Sequence, residues 1–358
     1  MKRLAIMVAM ALAPLLVIGI LMTNGGGPAA ANSNQQSCVQ PPGGLVNWWP
    51  GDGNAVDIWG GNDGTLVGDT SFAAGVAGDA FSFDGDEDYV EIPHDSSFNL
   101  AEFSVDAWVY IDPAQNNGEV NVLVSKSSFA AADGGFVLTH DDRGGADRKT
   151  NALRFIVFEG GAGTLSEAFL KDAFPSAGFY HVAGTFDGSV TRLYLDGVLK
   201  DTGSPIAGIG FNTRSVRIGA SHVLEASSID DRFTGLIDEV EIYNNALAAS
   251  DIAGIHSAGS ECKCEAAAVA HNIENLIADV NGLGLPEAVA TSLTASLNGA
   301  PAILNDGNPH NDVAACGKLT AFINDVDAQE QNGQLTATQA EELREAAEGM
   351  KAVLGCRR

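Results

Sequence analysis

The chain has 358 residues, 45 % of them hydrophobic and 18 % charged, which suits a globular protein of two or three domains. Its formal charge is −27, and so acidic a surface repels nucleic acid and anionic lipid, which excludes both as partners. The acidity serves solubility or reflects a saline setting, and composition alone leaves both open.

The first residues carry the marks of an export signal. Lys2 and Arg3 form a basic start, Leu4 to Met22 an apolar core, and Pro28-Ala29-Ala30-Ala31 a small-residue cleavage site. Residues 1–31 are therefore read as a signal peptide and the mature chain as secreted or surface-displayed, without membrane insertion after cleavage. The apolar core is long for a signal, so an uncleaved anchor is the alternative. Five cysteines, all beyond the signal, suit an oxidising compartment, and no Cys-x-x-Cys pair favours zinc.

After a polar, proline-bearing linker over residues 32–44, Leu45 to Trp49 reads as the first strand. The loop that follows is rich in glycine and carries Asp52, Asn54, Asp57, Asn62 and Asp63. Residues 81–83 and 89–92 read as a hairpin around Asp84-Gly85. Phe103 to Ile111 alternates strictly, with Phe103, Val105, Ala107, Val109 and Ile111 on one face. Residues 120–126, 136–139 and 153–158 add strands, and 141–149 reads as a solvated loop between two of them.

The stretch from Phe179 to Gly203 holds three strand-like runs separated by Asp187-Gly188 and Asp196-Gly197, which predicts an antiparallel meander with tight type I′ turns. Residues 215–218 and Leu236 to Tyr243 complete the set. About ten short strands over roughly 220 residues, with no helical period between them, predict an all-β antiparallel jelly-roll sandwich over 45–260.

Beyond Glu261 the period changes. Val269, Ile273, Leu276, Ile277 and Val280 recur at helical spacing, and Pro286 and Pro309 can open further helices. Thr336 and Gln339 form a capping-box pattern ahead of the last helix. Residues 264–358 are thus predicted as an all-α, up-down four-helix bundle.

Five segments resemble, in family order, the laminin-G-like, concanavalin A-like jelly rolls of bacterial secreted proteins. They are LVNWWPGDGNAVDIWGGNDGTL, FSFDGDEDYVEI, FSVDAWVY, YHVAGTFDGSVTRLYLDGVL and FTGLIDEVEIYNNALAASDIAGI, spanning residues 45 to 255. Tyr180 departs from the tryptophan more usual in that family. Residues 319–350 resemble the FIMAH module, a small helical appendage of secreted bacterial proteins. The resemblance implies a non-enzymatic recognition protein that binds carbohydrate or an extracellular glycoprotein, as in cell adhesion.

Against this stand two other readings: a glycoside hydrolase of the concanavalin A-like type, and a structural envelope or adhesion spacer. Asp86, Asp88 and Glu91 have the acid spacing of a glucanase strand, yet Glu91 falls on the opposite strand face from the two aspartates unless a bulge intervenes. No Gly-x-Ser-x-Gly elbow occurs, and no two histidines lie four residues apart; His181 reads as a packed residue.

Calcium needs six to eight oxygen ligands from irregular loops, which Asp52, Asn54, Asp57 and Asn62 can offer. The resemblance implies Asp238 as their partner from the final strand, whereas an ion-free loop of Asx turns accounts for the same residues. Trp59, Phe129 and Phe174 lie in loops and are the candidate ligand-binding aromatics. In jelly rolls the first and last strands commonly lie side by side, which pairs Cys38 with Cys262 or, alternatively, Cys264. The bundle topology pairs Cys316 with Cys356.

Overall fold

The computed structural model describes residues 39–115, 118–128, 133–143, 151–161, 163–222, 231–259, 265–306 and 312–356. The export signal, Cys38, Cys262, Cys264, Phe129 and Pro309 lie outside them. Within the described residues the early strands are β1 Leu45–Trp49, β2 Thr65–Val67, β3 Ser71–Ala74, β4 Asp79–Asp84, β5 Tyr89–Ile92, β6 Phe103–Ile111 and β7 Val120–Ser125. The later ones are β8 Gly135–Asp141, β9 Ala152–Phe158, β10 Leu165–Leu170, β11 Gly178–Phe186, β12 Thr191–Leu195, β13 Val198–Thr202, β14 Val216–Ile218 and β15 Thr234–Tyr243.

These strands build two antiparallel sheets that pack face to face. One has the order β13-β12-β11-β6-β15-β4-β3, with β1 also on β15; the other has the order β10-β9-β8-β7-β14-β5-β2. The inward faces are the alternating residues anticipated from sequence. Val105, Ala107 and Val109 of β6 meet Leu138, Leu153, Phe155 and Val157 of the facing sheet, all fully buried. Burying this many large apolar side chains, at roughly 25 cal/mol per Å² of apolar area, dominates the sandwich's stability.

Three local expectations are corrected. β4 and β5 do not form a hairpin: β4 joins the eight-stranded sheet and β5 the seven-stranded one. The intervening turn crosses between sheets with Gly85 and Glu87 at φ 87° and 70°. Of the two meander turns, Asp196-Gly197 has positive φ at both residues, as type I′ requires. The turn at Asp187 is longer, and the Asp187 carboxylate closes it by accepting from Ser189 N and Val190 N. Asp141 and Asp142 are not solvated loop residues; they are buried at the end of β8.

β1 pairs with β15, Leu45 opposite Tyr243, so the first and last strands of the sandwich are neighbours. β15 carries a bulge between Asp238 and Glu241, with Glu239 at φ 54°. Such a bulge re-aims side chains. Here it sends Asp238 toward residues 75–78 and lets Glu239 accept from Trp48 Nε1 at 2.9 Å.

The helices are α1 Ala249–Ala258, α2 Glu265–Gly282, α3 Glu287–Leu297, α4 Ala300–Leu304, α5 Val313–Gln331 and α6 Ala337–Val353. The C-terminal region therefore has five helices, because the second expected helix breaks at Gly299, whose φ of 79° no right-handed helix admits. Thr336 caps α6 as anticipated, its hydroxyl accepting from Gln339 N while Gln339 Oε1 accepts from Thr336 N. Cys316 and Cys356 are joined by a disulfide with a Cα separation of 5.7 Å.

Ile252 and Ile255 of α1 and Ala268 of α2 pack with Leu45, Trp48, Ile58 and Tyr243 on the outer face of the eight-stranded sheet. No helix among the described residues is long and apolar enough to cross a membrane.

Candidate functional site

The first loop is organised by Asp57, which is 4 % exposed. Its Oδ1 accepts from the backbone N–H groups of Trp48, Trp59 and Gly60 at 2.9, 3.1 and 3.0 Å. Its Oδ2 accepts from Asn47 Nδ2 at 2.6 Å and Asn62 N at 3.0 Å. With five donors on two oxygens, Asp57 is directed at the chain itself and offers little to an ion. Asn54 Oδ1 accepts from Val56 N at 2.8 Å, an Asx turn, and the Asn62 carbonyl accepts from Trp49 Nε1 at 2.9 Å. Three of the five expected metal ligands thus shape the loop.

Asp52 and Asp238 differ. Asp52 Oδ1 accepts from Asp79 N at 2.7 Å, and Asp238 Oδ2 accepts from Val76 N and Ala77 N at 2.7 and 3.1 Å. The two carboxylates hold opposite ends of one short segment. A Cβ at Gly75 would lie 2.4 Å from Asp238 Oδ2, and one at Gly78 2.1 Å from Asp52 Oδ1, so glycine is required at both. Asp238 is fully buried and its Oδ1 has no hydrogen-bond partner. Burial pushes its pKa up to about 7, and the charge of Asp52 adds to the rise. A buried carboxylate with one orphaned oxygen beside a second carboxylate fits a cation; Asn54, Asp57 and Asn62 do not add to that set.

The three acids of the glucanase-like spacing fall into separate settings. Asp88 is 1 % exposed and clamps the crossing turn, accepting from Asp69 N at 2.8 Å and Asp84 N at 3.1 Å. Asp86 is exposed, 4.0 Å from Arg232. Glu91 lies on the outward face of β5, paired with Arg217 Nε at 2.9 Å and accepting from the Ser215 hydroxyl. They do not flank a common space. Ser215 Oγ also lies 3.2 Å from His222 Nε2, which suggests a nucleophile and base. However, Nε2 is 2.9 Å from the Ser215 carbonyl, an acceptor only, so Nε2 carries the proton and cannot take another. His181 is buried and bonded to Asp106 Oδ2 at 3.0 Å.

The outward face of the seven-stranded sheet gathers charged side chains that no local pattern singled out. Arg154 on β9 reaches Asp141 Oδ2 at 2.6 Å with one nitrogen and Glu167 Oε1 at 2.7 Å with another. Arg143 adds a second pair to Asp141 at 2.8 Å and, with Arg154, holds the Asp141 carboxyl below its usual pKa against burial, which raises it. Farther along the face, Arg217 lies over the Tyr89 ring, 4.5 Å from its centroid, while gripping Glu91. Ile156, Phe158, Val137 and Val122 form a separate buried apolar cluster, each no more than 2 % exposed. Arg154, Glu167, Arg217 and Glu91 keep 16, 23, 19 and 31 % of their side-chain surface, so their polar edges reach solvent.

Of the aromatics chosen from sequence, Trp59 stacks on His271 of α2, with centroids 4.5 Å apart and planes 8° from parallel. Phe174 is fully buried, edge-on to His140 and Tyr180. Phe174 therefore presents no face to a ligand, and Trp59 has one face covered by His271. Among the described residues, the exposed phenylalanines are Phe169, 40 % exposed on β10, and Phe211, 57 % exposed. Phe169 was missed because β10 was not read as a strand; its alternation, Ser166 and Ala168 in, Phe169 out, is the signal that could have found it.

A family model described as the concanavalin A-like lectin/glucanases superfamily matches residues 84–253. Among solved structures, the chain is similar to domain 4 of AbnA, a GH43 extracellular arabinanase from Geobacillus stearothermophilus, in complex with arabinotriose. Identity is 20 %, TM-score 0.44, and the match covers 59 % of this chain and 97 % of that one. It is also similar to the botulinum neurotoxin serotype C1 binding domain, at 16 % identity and TM-score 0.47, covering 60 % of this chain and 52 % of that one. A third is the botulinum neurotoxin serotype D ligand binding domain in complex with N-acetylneuraminic acid, at 16 % and 0.45, covering 60 % and 50 %. The chain spans about half the length of those toxin domains. No curated protein matches. Residues 84–253 match a concanavalin A-like domain and form most of a two-sheet antiparallel sandwich that begins at β1.

Proposed function

We propose that this chain is a secreted or surface-displayed, non-enzymatic recognition protein whose sandwich binds carbohydrate, free or on a glycoprotein, through the outward face of the seven-stranded sheet. The observation that carries this is Arg154, fixed between Asp141 and Glu167 on a sheet face. Planar guanidinium and carboxylate groups held rigid by one another offer paired donors and acceptors to neighbouring hydroxyls, and a phenylalanine ring at the rim offers an apolar face. Phe169 stands opposite Arg154 on the adjoining strand, in that position. The matched family's description names lectins and glucanases alike, which supports a sugar as the ligand. Residues 264–358 are assigned here as a FIMAH-like helical appendage.

A glycan array on the purified protein tests it. Binding is expected, and Glu167→Gln with Phe169→Ala should weaken it by roughly tenfold or more, about 1.4 kcal/mol, without moving the melting temperature appreciably. No binding on the array, or binding indifferent to both changes, removes the proposal. Reducing-sugar release that disappears in Glu91→Gln replaces it by hydrolysis.

Calcium between Asp52 and Asp238 is part of the same proposal, as a structural ion and not a reactant. When bound, it would supply positive charge to the orphaned Asp238 Oδ1. Without an ion, the folded chain keeps a proton on Asp238 between the usual 3.8 and about 7, where the unfolded chain has lost it. Stability therefore falls as pH rises through that window. In excess chelator the melting temperature should drop between about pH 4 and 7, and Asp238→Asn should flatten the drop. Added calcium should restore the melting temperature most above pH 7 in the parent chain and not in Asp238→Asn. A melting curve at pH 8 that ignores both chelator and calcium removes the ion from the proposal.

A further inference from the structure

Lys126 follows β7, Asn212 precedes β14 and His94 follows β5. β14 lies between the other two strands, with Val216 opposite Ile92 and Arg217 opposite Ser125. Continuing that antiparallel register past the strand ends brings His94 and Lys126 beside the residues just before Val216. Lys126 is 3 % exposed, and among the described residues no carboxylate is a partner of its amine. Instead Nζ lies 2.8 Å from the Arg214 carbonyl oxygen, 3.1 Å from the Asn212 carbonyl oxygen, 3.2 Å from His94 Nδ1 and 3.3 Å from Asn212 Oδ1. An ammonium has three protons to donate, so these neighbours are one more than it can serve.

Phe98, Phe103, Phe136 and Ile242 line the same small pocket and give it apolar walls. Burial there lowers the Lys126 pKa to about 8, which favours the uncharged amine, the nucleophilic form. The Asn212 side-chain amide is held against this amine from both ends. Its Nδ2 donates to the Lys126 carbonyl oxygen at 2.9 Å, and its Oδ1 accepts from Arg214 N at 3.0 Å. Cγ, bonded to both, is therefore fixed beside Nζ and polarised by the Arg214 N–H.

We infer that Lys126 and Asn212 join in an intramolecular isopeptide bond, with His94 as the base. The amine's lone pair attacks Asn212 Cγ, and Arg214 N stabilises the negative charge that develops on Oδ1. As the Nζ–Cγ bond forms, Nζ sheds one of its two protons to His94 Nδ1. His94 returns a proton to Nδ2 as the Cγ–Nδ2 bond breaks, and ammonia leaves. An amine and a primary amide thus become a secondary amide and ammonia, with no co-reactant. The bond links positions 86 residues apart and ties the loop that carries the exposed Phe211 to the end of β7.

Mass spectrometry of the full chain, kept near its Lys126 pKa of about 8, tests this. Once its N-terminus is known, the parent chain is expected to be lighter than its sequence requires by one ammonia. After digestion with trypsin, the segments around Lys126 and Asn212 should appear as one branched peptide, uncut after Lys126. In Lys126→Arg and in Asn212→Ala both signs should vanish. His94→Gln keeps both reacting groups and should slow bond formation roughly a hundredfold, the usual worth of a positioned base. The parent is read directly, so the result does not depend on any variant folding. Separate peptides with a free Lys126 amine and an intact Asn212 amide, after days of incubation, would overturn the inference. Ammonia loss that persists in Lys126→Arg would do the same, since it then comes from another amide. A branched peptide that forms as fast in His94→Gln as in the parent would remove His94 as the base.

Discussion

Asp57→Ala is expected to cost the sandwich about 4 kcal/mol or more, among the larger effects a single substitution can have. The change leaves five donors without their acceptor at once: Trp48 N, Trp59 N, Gly60 N, Asn62 N and Asn47 Nδ2. Several sit where water cannot replace the carboxylate, since Asn47, Trp48 and Asp57 are all buried. An unsatisfied buried donor costs about 1–3 kcal/mol, and these share one rigid loop, so the loop should open before all five are paid in full. Asp63→Ala is the comparison. It removes the single acceptor of Asp57 N and should cost about 1 kcal/mol. Urea denaturation followed by tryptophan fluorescence reads both, because Trp48 and Trp49 flank the site. Near-equal costs for the two variants would show that Asp57 is not the organiser of this loop.

The second large effect concerns the helices. Cys316→Ser with Cys356→Ser should destabilise the helical region by about 4 kcal/mol, the chain-entropy value for a bridge across a sequence separation of 40 residues. The bridge ties the start of α5 to the chain just after α6, so its loss frees both helices from the same end. Hydrogen exchange should show α5 and α6 losing protection first while β6 and β15 keep theirs. Uniform loss across both parts would mean that α2, which packs on the sandwich through Ala268, His271 and Asn272, transmits the damage. No change in α5 or α6 would deny the bridge a stabilising role.

How far residue patterns alone could go is visible in particular elements. The strict alternation of Phe103 to Ile111, the Asp196-Gly197 turn and the Thr336–Gln339 capping box are interactions among residues near in sequence, and each appears in the structure as expected. Five segments in register were enough to anticipate the jelly roll. The helical period of Val269, Ile273, Leu276 and Val280 likewise marks a buried face of α2. Local sterics and a single buried side determine all of these, so the information is contained within a few residues.

The site belongs to the other class. Whether β4 pairs with β5 depends on which sheet offers the better partner, and the turn between them accommodates either outcome. Trp59 and Phe174 read as exposed loop aromatics until His271 and His140, far along the chain, close over them. The orphaned oxygen of Asp238 exists because a bulge 160 residues from Val76 and Ala77 aims the other oxygen at their N–H groups. Arg154 is clamped only when β8 and β10 bring Asp141 and Glu167 to either side of it. Periodicity tells which side of a strand is wet, because that is a property of the strand; the neighbour across the sheet is chosen by the packing of the whole chain.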